Sequence, residues 1–333
     1  MTRCLTRLTA VLVLLLVCSG CPSSSPISRV LLRREKPPVL STDISPSELI
    51  QHVNQQREGL QNWRSQHTIL TVSGPGIPVR QKLSGQFICS APHSFRLSAG
   101  NMLASVDFGA NTDHCWAWAQ PGAPAILTWP HEDAYLLHEL PGELPWLEAE
   151  WLAAVAGITP IDATEFTVQS SPQKPLERSL TRTRQSGAGA VKDALIINLM
   201  TGNCEEALAY DHEGRLMVRA RLLKHQFVNG RTLPQEIAVH AVQAGFQLNL
   251  RFDHVLTNVT VEDKVWNPPA GENLQVVDLS DLVRSQQSEP QVSLPGSELQ
   301  DSALRFDSEP PIFDDENTIA STRRFRWPWE WWR

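Results

Sequence analysis

The chain has 333 residues, of which 41% are hydrophobic and 20% are charged, so it can bury a normal core in one large or two ordinary domains. Its formal net charge of −7 is uneven: residues 278–317 carry ten acidic side chains against two arginines, and residues 323–333 carry four arginines against one glutamate. The remainder has no basic surplus, which excludes nucleic acid as an expected partner.

The first twenty residues have the features of a secretory signal that ends at a cysteine. Two arginines precede an apolar run at residues 8–17, which is too short to cross a bilayer as a helix. Small residues before Cys21 then resemble a bacterial lipobox, except that Cys18 stands where leucine is usual. We predict a signal peptide over residues 1–20 and acyl chains such as palmitate on Cys21; the alternative is an ordinary signal in which Cys21 is incidental.

A tether is expected after the signal. Residues 21–44 are rich in Ser, Pro and Arg and have no hydrophobic period, which is typical of a flexible linker. Pro22 stands where lipoproteins retained in the inner membrane often have Asp. By analogy with the lipoproteins that lack this Asp, the outer membrane is favoured. We therefore expect a membrane-anchored lipoprotein that faces the periplasm.

Two amphipathic segments predict helices in a domain of residues 45–275. Ser45 and Glu48 form a capping box, with proline at the first helical position, and predict a helix that runs to about residue 62. A second helix is predicted over residues 147–156. Each stripe fits either a helix packed on a core or a lid over a cavity. The apolar positions are Leu49, Ile50, Val53, Leu60 and Trp63, then Leu147, Trp151, Leu152 and Val155.

Residues 82–129 predict consecutive short strands. Apolar side chains there alternate with polar or small ones, which is the period of a sheet with one apolar face. The alternating apolar positions are Phe95, Leu97, Ala99, Val106 and Phe108. A sheet of this kind needs a covering layer on its apolar face.

The second half predicts an antiparallel meander with the same period of two. Its hairpin signal is Asn229-Gly230, because both residues tolerate positive φ. Residues 171–190 are rich in Ser, Gly, Lys and Arg, and predict a mobile loop with at most one strand, at residues 179–183. The strands are predicted at residues 165–170, 194–200, 205–210, 216–227, 236–242 and 246–255.

The C-terminal part predicts a linker and a tail. Residues 276–322 are acidic and poor in apolar groups, so we expect a disordered linker. Residues 323–333 interleave Trp with Arg, and Pro328 prevents a regular amphipathic helix. We expect this tail to lie at a membrane interface; the alternative is that it plugs the domain's own cavity or caps its sheet edge. Its tryptophans are Trp327, Trp329, Trp331 and Trp332.

The order of turns carries a family resemblance over roughly residues 45–271. The motifs are Pro92-x-x-Phe95-Arg96 between two strands, Asp211-His-Glu-Gly214 before a strand, Leu233-Pro-Gln-Glu-Ile237, and a closing Val265-Trp-Asn-Pro-Pro269. This order resembles the LolA/LolB-like family of lipoprotein carriers and acceptors. The resemblance implies an α+β fold, in which a curved antiparallel sheet forms an open half-barrel and two or more helices cover its concave face.

The resemblance also implies a function without chemistry. A hydrophobic cavity would bind acyl chains of lipoproteins or lipids by burial, for lipoprotein or lipid trafficking or outer-membrane assembly. Arg96 matches an arginine tied to closing the cavity, although a surface arginine is the alternative. A non-transporting sensor of envelope stress, or a structural lipoprotein with a filled core, remains the rival function. Candidate lining residues are Phe95, Leu97, Phe108, Trp151, Phe246, Leu248, Leu250 and Phe252.

The sequence shows no catalytic signature. It has no nucleophile elbow and no glycine-rich phosphate loop, so we expect neither enzyme activity nor a cofactor. Several His and Cys residues are of the types that bind zinc, but their spacing matches no known zinc-site pattern. Those residues are His114, Cys115, His131, His138 and Cys204.

Three cysteines remain in the mature body if Cys21 is acylated. Cys89 and Cys115 both lie in the first block of strands, so a disulfide between them is one expectation, with Cys204 left free. The alternative is three buried, reduced thiols that act as small hydrophobic side chains.

Overall fold

The computed structural model describes residues 37–74, 80–120, 124–139, 148–186, 189–242, 244–271 and 274–288. The predicted lipidation site Cys21, most of the tether and the tryptophans of the C-terminal tail lie outside these residues. The chain divides into residues 1–38 and 39–333, and the fold described below belongs to the second unit.

Fourteen strands make up one open sheet in the described residues. They are β1 (Asn62–Ser73), β2 (Gln81–Ser90), β3 (Ser94–Gly100), β4 (Ser105–Ala110), β5 (His114–Gln120), β6 (Ala125–Pro130), β7 (Thr167–Ser171), β8 (Lys174–Ser186), β9 (Gly189–Asn198), β10 (Asn203–Tyr210), β11 (Leu216–Val228), β12 (Arg231–Ala241), β13 (Phe246–Thr257) and β14 (Gln275–Asp278). The spatial order is β14-β6-β5-β4-β3-β2-β1-β13-β12-β11-β10-β9-β8-β7. The described pairs are antiparallel except β14 with β6, and the predicted α+β fold with a curved antiparallel sheet is confirmed.

Two meanders meet at the centre of this sheet. β1 to β6 follow one another on one side, and β7 to β13 follow one another on the other. β1 pairs with β13 from Trp63 opposite Thr257 to Ser73 opposite Gln247. This long-range pairing joins the two halves into one apolar face.

The helices lie before, between and after the strands. They are α1 (Pro46–Arg57), α2 (Ala149–Val155) and α3 (Leu279–Ser288), with 3₁₀ helices at His131–Glu139 and Asp263–Trp266. Ser45 caps α1, and the predicted capping box with Glu48 is present. In the part of the chain that the structure describes, none of the helices has the length and apolar character that a membrane crossing needs.

The predicted extension of the first helix to residue 62 is wrong. α1 ends at Arg57, and Gly59 follows with a φ of +67°, a backbone conformation that favours glycine. Trp63 belongs to β1, where it pairs with Cys89 on one side and Thr257 on the other. Leu60 and Trp63 are spaced like residues on one face of a helix, but they lie after the turn at Gly59. Both side chains nevertheless belong to the same core as α1.

The predicted mobile loop at residues 171–190 is also wrong for most of its length. β8 is a strand of 13 residues that pairs with β9 from Glu177 opposite Asn198 to Ser186 opposite Gly189. Leu180 is fully buried. The polar composition of this segment reflects ion pairs and not mobility, because Arg182 and Arg184 pair with Asp193 on β9.

The folded part extends beyond both predicted boundaries. The Leu40 amide donates to the Leu199 carbonyl at 3.0 Å, so residues of the expected tether already belong to the domain. The expected linker is ordered over residues 276–288, where β14 pairs with β6 and α3 follows. Leu279, Leu282 and Val283 of α3 are buried in the main core. The acidic composition of the predicted linker did not indicate this short apolar stripe.

The expected disulfide between Cys89 and Cys115 is wrong. Both residues lie in one cross-strand row, in which Cys89 is opposite Phe95, Phe95 is opposite Ala110, and Ala110 is opposite Cys115. Three gaps of about 4.8 Å separate β2 from β5 by about 14 Å, which is far beyond the reach of a disulfide. Cys89, Cys115 and Cys204 are free thiols, and the first two are buried.

Candidate functional site

One face of the sheet is apolar, and we call it the inner face. It is covered by α1 and α2, and together they form one core. α1 packs against β12, and α2 packs against β3. The structure places six of the predicted lining residues in this core as buried side chains: Phe95, Leu97, Trp151, Leu248, Leu250 and Phe252. Phe108 and Phe246 are partly buried against it. That these side chains line a cavity stays a prediction.

Three aromatic rings fill the centre of the core. The Trp63 and Phe87 ring centroids are 4.9 Å apart, and each is 5.1 Å from the Phe252 centroid. The Trp63 indole N–H donates to the Ala156 carbonyl at 3.2 Å. Sequence reasoning missed Trp63 and Phe87 as a cluster, because their contact depends on the pairing of β1 with β2 and β13.

Hydrogen bonds tie α1 to residues 156–161, the segment that follows α2. We call this contact the seam. The Asn54 side chain donates to the Ile161 carbonyl at 2.8 Å and accepts from the Ile161 amide at 2.8 Å. The Arg57 guanidinium donates to the Thr159 carbonyl. The two covering segments are therefore held together by polar groups above an apolar core.

Arg57 is an unusual residue for such a position. Only 7% of it is exposed, and burial lowers the pKa of its guanidinium. Its hydrogen-bond partner in the described part of the chain is a backbone carbonyl, which offers less compensation for a buried charge than a carboxylate does.

A cavity of about 800 Å³ lies beside the seam. It is lined by the last turn of α1, the turn that leads into β1, and residues 158–160. Leu60 and Ile158 belong to its lining and to the buried core, so the cavity connects the surface to the edge of that core. Its volume falls in the range of small-molecule sites.

Arg96, the predicted gating residue, lies on the other face of the sheet. Its neighbours Phe95 and Leu97 point into the core, so the alternation of the strand turns Arg96 away from the helices. There it donates to Asp107 Oδ2 from Nε at 3.1 Å and from Nη2 at 2.9 Å. The structure does not bring Arg96 to the covering helices; the arginine found there is Arg57.

A buried ion-pair network fixes α2 to the other half of the sheet. Asp193 Oδ2 accepts from Arg182 and Arg184 on β8, at 3.1 Å and 2.9 Å. Arg184 also pairs with Glu148, and Arg182 pairs with Glu150 at 2.6 Å. Burial acts to lower the pKa of Arg184, but Glu148 and Asp193 outweigh it and raise the pKa, so the guanidinium stays charged.

Within the described part of the structure, which leaves out the His138 side chain, the residues of the hypothetical zinc site do not converge. Cys115 Sγ lies 3.6 Å from His131 Nδ1, while Cys204 lies on β10 in the other half of the sheet. Burial raises the pKa of the Cys115 thiol to about 12, so it is no nucleophile at neutral pH. Across the described residues, no three His, Cys, Asp or Glu side chains are grouped in a way that could hold a metal ion.

Comparisons with known proteins found similar solved structures and no similar sequence. No family model matches the sequence, and no curated protein matches it. The structure is similar to a DUF1329 family protein from Desulfovibrio piger, with 10% identity and a TM-score of 0.44 over 67% of this chain and 95% of the other.

Two further similar structures carry sorting or family names. One is a putative outer membrane lipoprotein-sorting protein domain from Vibrio parahaemolyticus, with 10% identity and a TM-score of 0.46 over 66% of this chain and 95% of the other. The second is a LolA superfamily protein from Nitrosomonas europaea, with 12% identity and a TM-score of 0.44 over 68% of this chain and 98% of the other.

Proposed function

We propose that this protein is an envelope lipoprotein that binds acyl chains of lipoproteins or lipids on the inner face of its sheet, beneath α1 and α2. The observation that carries the proposal is the seam. A polar, hydrogen-bonded closure lies over an apolar core, with a cavity of about 800 Å³ beside it.

The energies of opening and binding favour occupancy. The seam holds three hydrogen bonds, two at Asn54 and one at Arg57, and their loss costs about 2–4 kcal/mol in total. An acyl chain that buries on the order of 400 Å² of apolar surface contributes about 10 kcal/mol at about 25 cal/mol per Å². Binding therefore outweighs opening, and the cost of opening the seam lowers the observed affinity.

The setting of this activity follows from the sequence. Acylation of Cys21 would anchor the protein in a membrane, with the outer membrane favoured, and the folded part would face the periplasm. The resemblance to lipoprotein carriers and acceptors supports a role in lipoprotein or lipid trafficking or in outer-membrane assembly. The partner surfaces are then a membrane and the acyl chains of its cargo.

Loosening the seam should strengthen acyl-chain binding. Arg57→Met removes the bond to the Thr159 carbonyl while keeping an apolar side chain of similar length. One hydrogen bond corresponds to a gain of about threefold to tenfold in affinity. The measurement is energy transfer from tryptophan to a dansyl-labelled fatty acid, with the full-length protein in nanodiscs and empty nanodiscs as the baseline.

Arg64→Met is the matched control, because Arg64 bonds to Gln86 and lies away from the seam. This control should bind the probe as the parent protein does. If Arg57→Met lowers the melting temperature and leaves probe binding equal to that of Arg64→Met, the seam is a structural contact and the filled-core alternative is favoured.

A further inference from the structure

A second cavity lies on the face of the sheet opposite the helices. We call it the outer groove. Its volume is about 720 Å³, and it runs between β1–β5 and the segment of residues 260–269. Asp107, Trp118 and Val265 line it, and no residue of α1 or α2 does. The outer groove is therefore separate from the seam and its cavity.

Two cross-strand rows form the floor of the outer groove. In the first, Gln86 is opposite Ser98, Ser98 is opposite Asp107, and Asp107 is opposite Trp118. In the second row, Arg96 lies between Ile88 on β2 and Gly109 on β4. The first row spans three strand gaps, or about 14 Å. Along this row lie an amide, a hydroxyl, a buried carboxylate and an indole.

The wall of the outer groove is fixed by buried polar contacts. Asp107 is 3% exposed, and its Oδ1 accepts from the Trp116 indole N–H at 2.7 Å while its Oδ2 accepts from Arg96. Arg96 Nη1 then donates to the Val265 carbonyl at 2.9 Å, and Asn111 donates to the Trp266 carbonyl at 3.0 Å. These bonds hold the segment 260–269 at a set distance from the sheet, so the groove is a built feature.

Two glycines keep the floor low. A Cβ on Gly85 would lie 1.9 Å from the Ser98 carbonyl oxygen, because β2 and β3 approach closely there. A Cβ on Gly109 would lie 2.0 Å from the Trp116 ring, which rests on this glycine. The two glycines therefore permit the close approach of β3 to β2 and of the Trp116 ring to β4, which fixes the shape of the floor.

The carboxylates of the outer groove are paired. Asp107 pairs with Arg96 at 2.9 Å, and Glu262 pairs with Lys264 at 2.6 Å. The Arg64 guanidinium donates to the neutral Gln86 side chain. A strongly basic ligand would find both of these carboxylates already paired, which disfavours the arginine-rich tail of residues 323–333 as the occupant.

We propose that the outer groove binds a short neutral oligosaccharide. A sugar ring has one face of C–H groups, which packs on an indole such as Trp118, and a rim of hydroxyls, which bond to amide, hydroxyl and guanidinium groups. Gln86, Ser98 and Arg64 supply those groups in the lining of the groove. The shallow, mixed lining and the volume suit a ligand of this kind better than an acyl chain, which needs an apolar enclosure.

The test is isothermal titration calorimetry of the full-length protein with chitotriose and cellotriose. We expect saturable binding of at least one of these neutral trisaccharides. Trp118→Ala should weaken it about tenfold, since the loss of one aromatic contact is of that order. Phe227→Ala is the matched control, because Phe227 is 76% exposed and lies outside the groove, and it should bind as the parent does.

Gln86→Ala provides a second variant that removes one hydrogen-bonding group and leaves the aromatic floor in place. It too should weaken binding, with an unchanged melting temperature. The proposal is overturned if neither trisaccharide gives saturable heat, or if both variants bind as Phe227→Ala does. It is also overturned if a peptide of residues 323–333 binds the groove and Trp118→Ala abolishes that binding. None of these outcomes depends on acyl-chain binding at the inner face.

Discussion

Asp193→Ala should lower the free energy of unfolding by about 3 kcal/mol, because it removes the buried carboxylate that two partly buried arginines share. Asp193 is 5% exposed and accepts from Arg182 and Arg184. Both guanidiniums would then face each other across the space that the carboxylate occupied. Urea denaturation followed by circular dichroism measures the change as a shift of the midpoint at constant slope.

Glu177→Ala is the control for this prediction. Glu177 pairs with Lys174 at 2.8 Å on the same strand as Arg182, but the Lys174 side chain is 62% exposed. An exposed pair of this kind contributes about 0–1 kcal/mol. If Asp193→Ala costs no more than Glu177→Ala, the network does not hold α2 to β8 and β9 as the geometry indicates.

Trp63→Ala should cost about 3–5 kcal/mol through loss of a large buried ring and the cavity left behind. The ring is fully buried between Phe87 and Phe252, and β1 carries it into the centre of the sheet. The substitution also leaves the Ala156 carbonyl without its donor. The same urea denaturation measures the effect.

Trp63→Phe separates the two contributions. It keeps an aromatic ring in the cluster and loses the bond to Ala156, so most of the stability should return. A cost for Trp63→Ala of less than about 1 kcal/mol would show that the three rings are loosely packed, contrary to centroid distances of 4.9–5.1 Å.

Sequence patterns predicted those parts of the fold where local chemistry and tertiary packing agree. The predicted strands β2 to β5 and β9 to β13 are present, and Asn229 has the positive φ that its Asn-Gly hairpin predicted. The capping box at Ser45 is also as predicted. In each case the signal lies within a few neighbouring residues.

The missed elements depend on partners that are distant in sequence. The charged residues Arg182 and Arg184 led to the prediction of a loop where β8 lies. Their partners Asp193 and Glu148 come close to them only in the folded sheet. Trp63 fitted a helical stripe although it lies on a strand. The turn at Gly59 was hidden by that coincidence of spacing.

The candidate site was only partly readable for the same reason. Alternation correctly placed Phe95, Leu97 and Phe252 on the inner face. Arg57 was overlooked, because its importance comes from burial against the Thr159 carbonyl, a contact 102 residues away in sequence. On the outer face, Asp107 fitted a wet side of the sheet, yet it is buried because residues 260–269 return across it.

The most direct test of acyl-chain binding is native mass spectrometry of the full-length protein, extracted from membranes in a mild detergent. The proposal predicts a species heavier than the covalently acylated chain by the mass of at least one lipid or acyl group, and organic solvent should remove that extra mass. A spectrum in which polypeptide and covalent acylation account for the whole mass would contradict the proposal and would favour a lipoprotein with a permanently filled core.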